Sequence, residues 1–471
     1  MQKLSAESFL RINTRRHEML DILIKNGSYP VYDENVLVKG NIGIEFGKIA
    51  YIGDEEPEAA KVIDAAGRVV SPGFIDIHMH EENFSEGKEY CIANMMLKQG
   101  VTLAVGGNCG VMNQTVREFR DTIDELGGAP INYMMLSGYN NYWVKEGLGH
   151  FDKSTPEQRK AIHEKIKEDL EAGACGISFG IEYDPGMTTE EIIEAAGVSD
   201  DEHLLVAAHY RADGERSLEA IAEMIEVQKN INKKFQISHL SSCSAMGTME
   251  KSLDMINRYM EEDPRLNYDT YPYNAFSTNI GSTVFDPGCL EGWKKDYCDL
   301  LLTDDPYKNQ FATKETFDDC RANHPEMLVV AFVMNEDEIA AAISNPNGMV
   351  ASDGIIAHGN GHPRAAGTFT RVLGKYVRED KVVDLVTALR KITLEPAKRL
   401  EMENRKGDIH VGADADITIF DPETIIDGPS FQDISLPNKG IDYVIVNGEI
   451  ALKDNEFIDD RAGEFIAYQD K

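Results

Sequence analysis

The chain is poor in several features that would fix its class at once. Its seven cysteines are an odd number, widely scattered and without a Cys-x-x-Cys pair, which speaks against a disulfide framework and fits reduced thiols. Basic charge is scarce: 47 Lys+Arg against 81 Asp+Glu give a formal net charge of -34, which repels nucleic acids and anionic lipid surfaces and reads as solubility. The first residues, MQKLSAESFLRINTRRHEML, have no apolar core of signal-peptide length, and no later run reaches the roughly 18 apolar residues of a membrane span. The expectation is a cytoplasmic protein with a small-molecule partner, no nucleic acid and no membrane. With 471 residues, 42% of them hydrophobic, the chain is long enough for one large enzyme domain and a smaller one.

Apolar runs of strand length alternate with helical patterns through most of the chain. The strand-like runs are GFIDIHMH, VTLAVGGNCG, INYMMLSGYN, CGISFGI, LLVAAHY, FQISHL, LNYDTYPY and MVASDG. Between them lie helical stretches such as TPEQRKAIHEKIKEDLEAG, with Thr155 as N-cap and Gly173 as stop, and SLEAIAEMIEVQKNI. Eight strands with helical crossovers predict an α/β fold, a (β/α)8 TIM-type barrel over residues 71–403. An irregular segment, about 285–341, reads as an insertion beside the last strand. Gly-broken strands at 21–70 and a matching set within 404–471 are too few to stand alone. They are expected to pack together as a small β-sandwich domain formed from both chain termini, with 1–20 as an N-terminal extension.

Histidine is not abundant, 12 in all, yet SPGFIDIHMHEENF sets His78 and His80 one residue apart. On a strand both would project to the same face; chance supplies roughly 0.3 such pairs in a chain of this composition. The other strand ends decide the matter. Cys109 closes the second, His209 the fifth, His239 the sixth and Asp353 the eighth, and in a barrel of this kind the strand ends form the site. Imidazole, thiolate and carboxylate are the donors that Zn2+ prefers, so the expected metal residues are His78, His80, Cys109, His209, His239 and Asp353. Gly106, Gly107 and Gly110 allow the bends that bring the thiol in. His150, His163, His203, His324 and His410 fall in helices or loops and are read as surface residues, His17 lies in the extension, and Cys175 sits at the wrong strand end. Asp353 can take a proton from an acidified water and return it to a leaving amine, which describes amide hydrolysis.

These stretches, with GISFGIEYDPG, DTYPYNAFST, HPRAAGTFTRVLGKYVRE and GADADITIFDPETI, give the chain a resemblance to the amidohydrolase superfamily, and within it to the D-aminoacylases, the N-acyl-D-amino-acid deacylases. The resemblance runs from about Asp21 to Leu452. It implies a tightly bound catalytic zinc on Cys109, His209 and His239, and a weaker second position on His78, His80 and Asp353 that shares Cys109. It implies Asp353 as general base and then general acid, and Arg364, Tyr183 and Ser277 as holders of the substrate carboxylate. The expected reaction is zinc-dependent hydrolysis of the amide bond of N-acyl-D-amino acids; D-selectivity comes from the resemblance alone. Two departures stand out: Ser241 replaces a family lysine, removing a cation from the clamp, and Glu81 and Glu82 replace the usual aspartates. His358 and His362 read as loop residues near the pocket mouth. The competing readings are a cyclic amidase of hydantoinase or dihydroorotase type, and a non-catalytic scaffold of the same fold.

Overall fold

A computed structural model describes residues 19–471; most of the expected extension, His17 included, lies outside the described residues. Eight parallel strands make the barrel: Phe74–Asp76, Val101–Gly106, Asn132–Gly138, Gly176–Gly180, Leu205–His209, Lys234–Ile237, Leu266–Thr270 and Met349–Val350, each beside its sequence neighbour. They correspond one for one to the eight apolar runs. Alternation explains why those runs are continuous. Leu103, Val105, Met134, Leu136, Leu205 and Ala207 fill the barrel interior, while Ala104, Tyr133, Met135, Val206 and Ala208 pack outward in the main core, so both faces are buried.

The crossover helices follow local rules. The helix Pro156–Ala172 starts at Thr155, whose hydroxyl accepts the Gln158 N–H while Gln158 reaches back to the Thr155 N–H. It ends at Gly173, whose φ of 114° favours glycine.

The barrel closes between its first and eighth strands, just past their ends. The Asp353 N–H donates to His78 O at 2.7 Å and the His80 N–H to Gly354 O at 2.9 Å. Beneath this seam the buried Asp76 carboxylate accepts the Ser352 N–H at 3.0 Å and the His78 N–H at 3.2 Å. The closing residues of the barrel are thus also three of its chemically interesting ones. Between strands seven and eight, a small antiparallel sheet of Phe276–Asn279, Leu300–Leu302, Gln310–Phe311 and Leu328–Ala331 stands beside the rim.

The terminal strands form a separate nine-stranded sheet, from Leu20–Val31 to Val69–Pro72 at one end of the chain and from Ile417–Phe420 to Glu456–Phe457 at the other. Its two halves meet where Val69–Pro72 pairs antiparallel with Ile417–Phe420. Ile22, Ile44 and Val70 share one buried cluster with Ile417, Ile419 and Ile445. Past the glycine that follows Pro72, the chain enters the first barrel strand, so the sheet anchors the barrel where its seam begins. Among the described residues no helix is long and apolar enough to cross a membrane, and all seven cysteines are free thiols.

Candidate metal centre and active site

The barrel strands end on one rim, and the side chains singled out above gather there. His209 is the last residue of the fifth strand; the others lie just beyond their strands. His78 and His80 are in extended chain after Asp76 and still aim at one place, since the Nε2 atoms of both lie 3.4 Å from Asp353 Oδ1. The Cys109 sulfur is 3.3 Å from His78 Nε2 and 3.4 Å from His239 Nε2. Donor atoms of His78, Cys109, His239 and Asp353, all buried, lie within 4.8 Å of one another.

Three of these four residues have backbones in the left-handed region, with φ of 53° at Cys109, 33° at His239 and 50° at Asp353. Such conformations cost energy and persist where surroundings enforce them. At Cys109 the enforcement is visible. Gly107 and Gly110 pass so close to the third strand and the helix after it that a Cβ would lie 2.1 Å from Leu136 O and 1.8 Å from Asn140 Oδ1. The buried Glu81 carboxylate accepts the Gly107 and Asn113 N–H groups, each at 2.8 Å. Glu82 similarly accepts the N–H groups of Cys91 and Ala93. Glu81 therefore shapes the Cys109 loop, and Glu82 holds the start of the helix Ile92–Leu97.

His209 stands slightly apart. Its Nε2 is 2.7 Å from Glu182 Oε2, its ring is 4.4 Å from that of His239 and 4.7 Å from that of Tyr183, and its buried Nδ1 has no partner among the described residues.

Electrostatics suit a cation. Burial opposes charge at Cys109, yet His78 and His239 hold its thiol well below the usual range. Burial also works against protonation of His80 and His239, but Asp353 and Cys109 push both up to about 9. The cluster thus keeps a thiolate and a carboxylate buried by holding protons on imidazoles, and those are the protons that a divalent cation displaces. The Nε2 atoms of His78, His80 and His239 point into this group beside Asp353 or Cys109, and imidazoles with a soft thiolate among them fit Zn2+.

The Arg364 Nη1 is 3.0 Å from Asp353 Oδ2. Burial would raise the Asp353 carboxyl, but Arg364 and then His239 hold it well below the carboxylate range. Arg364 also donates Nη2 to Ser277 O at 3.0 Å and lies over the Tyr271 ring at 4.8 Å. Tyr183, Ser277, Asp353 and Arg364 line one cavity of about 680 Å3, together with His80, Asn140 and Val144. Ser277 Oγ is buried without a partner among the described residues. Ser241 is fully buried and donates toward Tyr271 O at 3.5 Å; it lines neither this cavity nor the smaller one beside His209, to which Ser242 and Cys243 contribute.

Sequence reading missed four residues here. His362, read as a loop residue at the pocket mouth, is fully buried, accepts the Arg364 N–H on Nδ1 and points Nε2 at Ala275 O, both at 3.0 Å. Tyr271, Glu182 and Asp269 each buttress a site side chain, and only a polar group within an apolar strand or beside a rim motif signalled them. Of the histidines expected on the surface, His163, His324 and His410 are half-buried, and His150 and His203 are exposed.

Known proteins resemble the chain along most of its length. Residues 61–271 and 319–452 match the model of the amidohydrolase family. A D-aminoacylase of Alcaligenes xylosoxydans xylosoxydans is 28% identical, over 95% of this chain and 97% of its own. An N-acyl-D-glutamate deacylase of the same organism is 29% identical, over 92% and 93%. The N-acyl-D-glutamate deacylase of Bordetella bronchiseptica, solved with zinc and a phosphonate mimic of the tetrahedral intermediate, superposes with a TM-score of 0.85 at 27% identity, covering 95% of this chain and 100% of that one. The family model spans most of the sequence, and the chain belongs to the amidohydrolase family.

Proposed function

We propose that the protein hydrolyses the amide bond of N-acyl-D-amino acids with zinc bound at the rim cluster, releasing a carboxylate and a free D-amino acid. The observation that carries the reading is the buried convergence of donor atoms of His78, Cys109, His239 and Asp353 within 4.8 Å of one another. The deacylases it resembles along nearly its whole length supply the substrate class. Free cysteines and acidic charge support a cytoplasmic setting.

Cys109, His209 and His239 would hold the catalytic ion, and His78, His80 and Asp353 a weaker position sharing Cys109. When bound, zinc supplies Lewis acidity toward a carbonyl oxygen and a water acidified toward neutrality. The chain's own groups do the rest. Asp353 is ionised at neutral pH because Arg364 and His239 hold it so, which equips it to take the proton of the attacking water and then deliver it to the amide nitrogen as the C–N bond breaks. Arg364, beside Asp353, orients the substrate carboxylate, with the Tyr183 hydroxyl and the unpartnered Ser277 hydroxyl as further holders. The crowded, buried rim limits stray water.

The test is release of free amine from N-acetyl-D-amino acids by the zinc-loaded protein, by protein stripped with a chelator, and by stripped protein given zinc back. Activity lost on stripping and regained with zinc supports the reading; equal release by stripped, metal-free protein would sink it.

A further inference from the structure

The seventh barrel strand, Leu266–Thr270, contributes nothing to the ligand set above, yet it carries a carboxylate into the middle of it. Asp269 is 1% exposed. Its Oδ1 lies 3.2 Å from His78 Nδ1 and accepts the His239 backbone N–H at 2.8 Å. Its Oδ2 accepts Gln236 Nε2 at 3.0 Å, and Gln236 Oε1 in turn accepts Arg399 Nε at 3.0 Å. One carboxylate oxygen therefore touches the ring of one rim histidine and the backbone of another, while the far oxygen is tied to the barrel wall. Asp269, like His78 and Cys109, lines neither cavity at the rim.

Two consequences follow from hydrogen-bond chemistry. An oxygen that already accepts the His239 amide N–H is an acceptor, so His78 Nδ1 must be the donor and carry the proton. In the neutral ring that a metal ligand must be, Nε2 then carries the lone pair, and Nε2 is the atom 3.3 Å from Cys109 Sγ and 3.4 Å from Asp353 Oδ1. At His239 the same oxygen secures the N–H of a residue whose φ of 33° is strained, and that backbone aims His239 Nε2 at Cys109. His80 offers a contrast, because its buried Nδ1 has no partner among the described residues.

We infer that Asp269 is a positioning residue for the metal centre: it selects the His78 tautomer that presents Nε2 and locks the His239 backbone, coupling ligands from strands one and six through strand seven. This rests on the metal reading above. Removing such an outer carboxylate costs about 10- to 100-fold in metal affinity.

The experiment is zinc affinity by chelator competition on the full chain for the wild type, Asp269→Asn and Cys109→Ala, with thermal unfolding of each in metal-free and zinc-loaded form. Asp269→Asn preserves volume but puts an amide where a carboxylate stood. The expected result is zinc affinity about 10- to 100-fold weaker and a smaller zinc-induced rise in Tm, taken from each variant's own metal-free Tm. If Cys109→Ala loses zinc while Asp269→Asn binds it as wild type does, the metal reading stands and the Asp269 inference falls. If Cys109→Ala keeps wild-type affinity, the metal reading itself falls. Should Asp269→Asn fail to fold, imidazole 15N NMR of the zinc-loaded wild type, with His78 assigned by His78→Asn, decides the matter. A proton on Nδ1 supports the inference, and a proton on Nε2 overturns it.

Discussion

Arg364 holds its guanidinium 3.0 Å from the Asp353 carboxylate, with both side chains buried at the cavity floor. The pair joins substrate orientation to proton transfer, so truncating Arg364 acts on both. Arg364→Ala is expected to raise KM for carboxylate-bearing substrates at least about tenfold, ~1.4 kcal/mol. It also leaves a buried carboxylate without its counter-charge, which costs about 3–5 kcal/mol of stability. Steady-state kinetics and denaturant unfolding read the two effects separately; an unchanged KM would move the carboxylate clamp to other residues.

Asp353→Asn keeps the side-chain volume and an oxygen near His78 and His80 but cannot accept a proton. Turnover is expected to fall by about 10²- to 10⁴-fold while the catalytic zinc remains bound. Metal analysis alongside kcat checks this, and an active asparagine variant would remove Asp353 from proton transfer.

For Cys109→Ala the account expects loss of tightly bound metal, because the thiolate lies between His78 and His239, whereas Cys243 groups with His209 and Glu182. Zinc content after dialysis against a weak chelator is the measurement, and full retention would contradict a thiolate ligand.

Much of this was legible because a parallel barrel buries both faces of its strands, which writes each strand into the sequence as a continuous apolar run. Polar residues at the ends of such runs then stand out, and His209, His239 and Cys109 were visible for that reason. The pairing of His78 with His80 was legible too, although the strand itself stops at Asp76 and the barrel seam, not the ladder, aims both rings. Asp269 was hidden: its contact with His78 spans 191 residues, and within DTYPY it looks like any polar residue near a strand end. His362 misled for the opposite reason. Gly and Pro flank it as in a surface loop, yet its burial serves Arg364. The weight of Ser241 also changes with the structure, since a buried serine that lines no cavity leaves Arg364 as the cation beside Asp353.

Far from the rim, the GADAD stretch has a mechanical role. Lys406, fully enclosed, pairs with Asp414 at 3.1 Å and with Asp416, and Asp416 also meets Asn132 at the base of the third barrel strand. Lys406→Met takes the cation from Asp416, while Asp414 keeps Lys48 and Arg405, and is expected to destabilise the protein by about 3–5 kcal/mol. Burial works against both charges, but Lys406 holds the Asp414 carboxyl below its ordinary 3.8, and Asp416 with Asp414 holds the Lys406 ammonium above its ordinary 10.5. The Asp414 contribution is present above pH 3.8 and lost as pH falls through the lowered folded value. The Lys406 contribution is present below pH 10.5 and lost as pH rises through the raised folded value. Unfolding free energies across pH should show the wild-type advantage over Lys406→Met at full size between those limits and shrinking outside them; an advantage independent of pH would argue against an ionic anchor.

The most direct test of the central claim is amine release by the zinc-loaded protein from matched N-acetyl-D- and N-acetyl-L-amino acids with varied side chains. The account predicts release from the D-isomers and little or none from the L-isomers. Release from L-isomers alone, or from neither hand while zinc is bound, would contradict it.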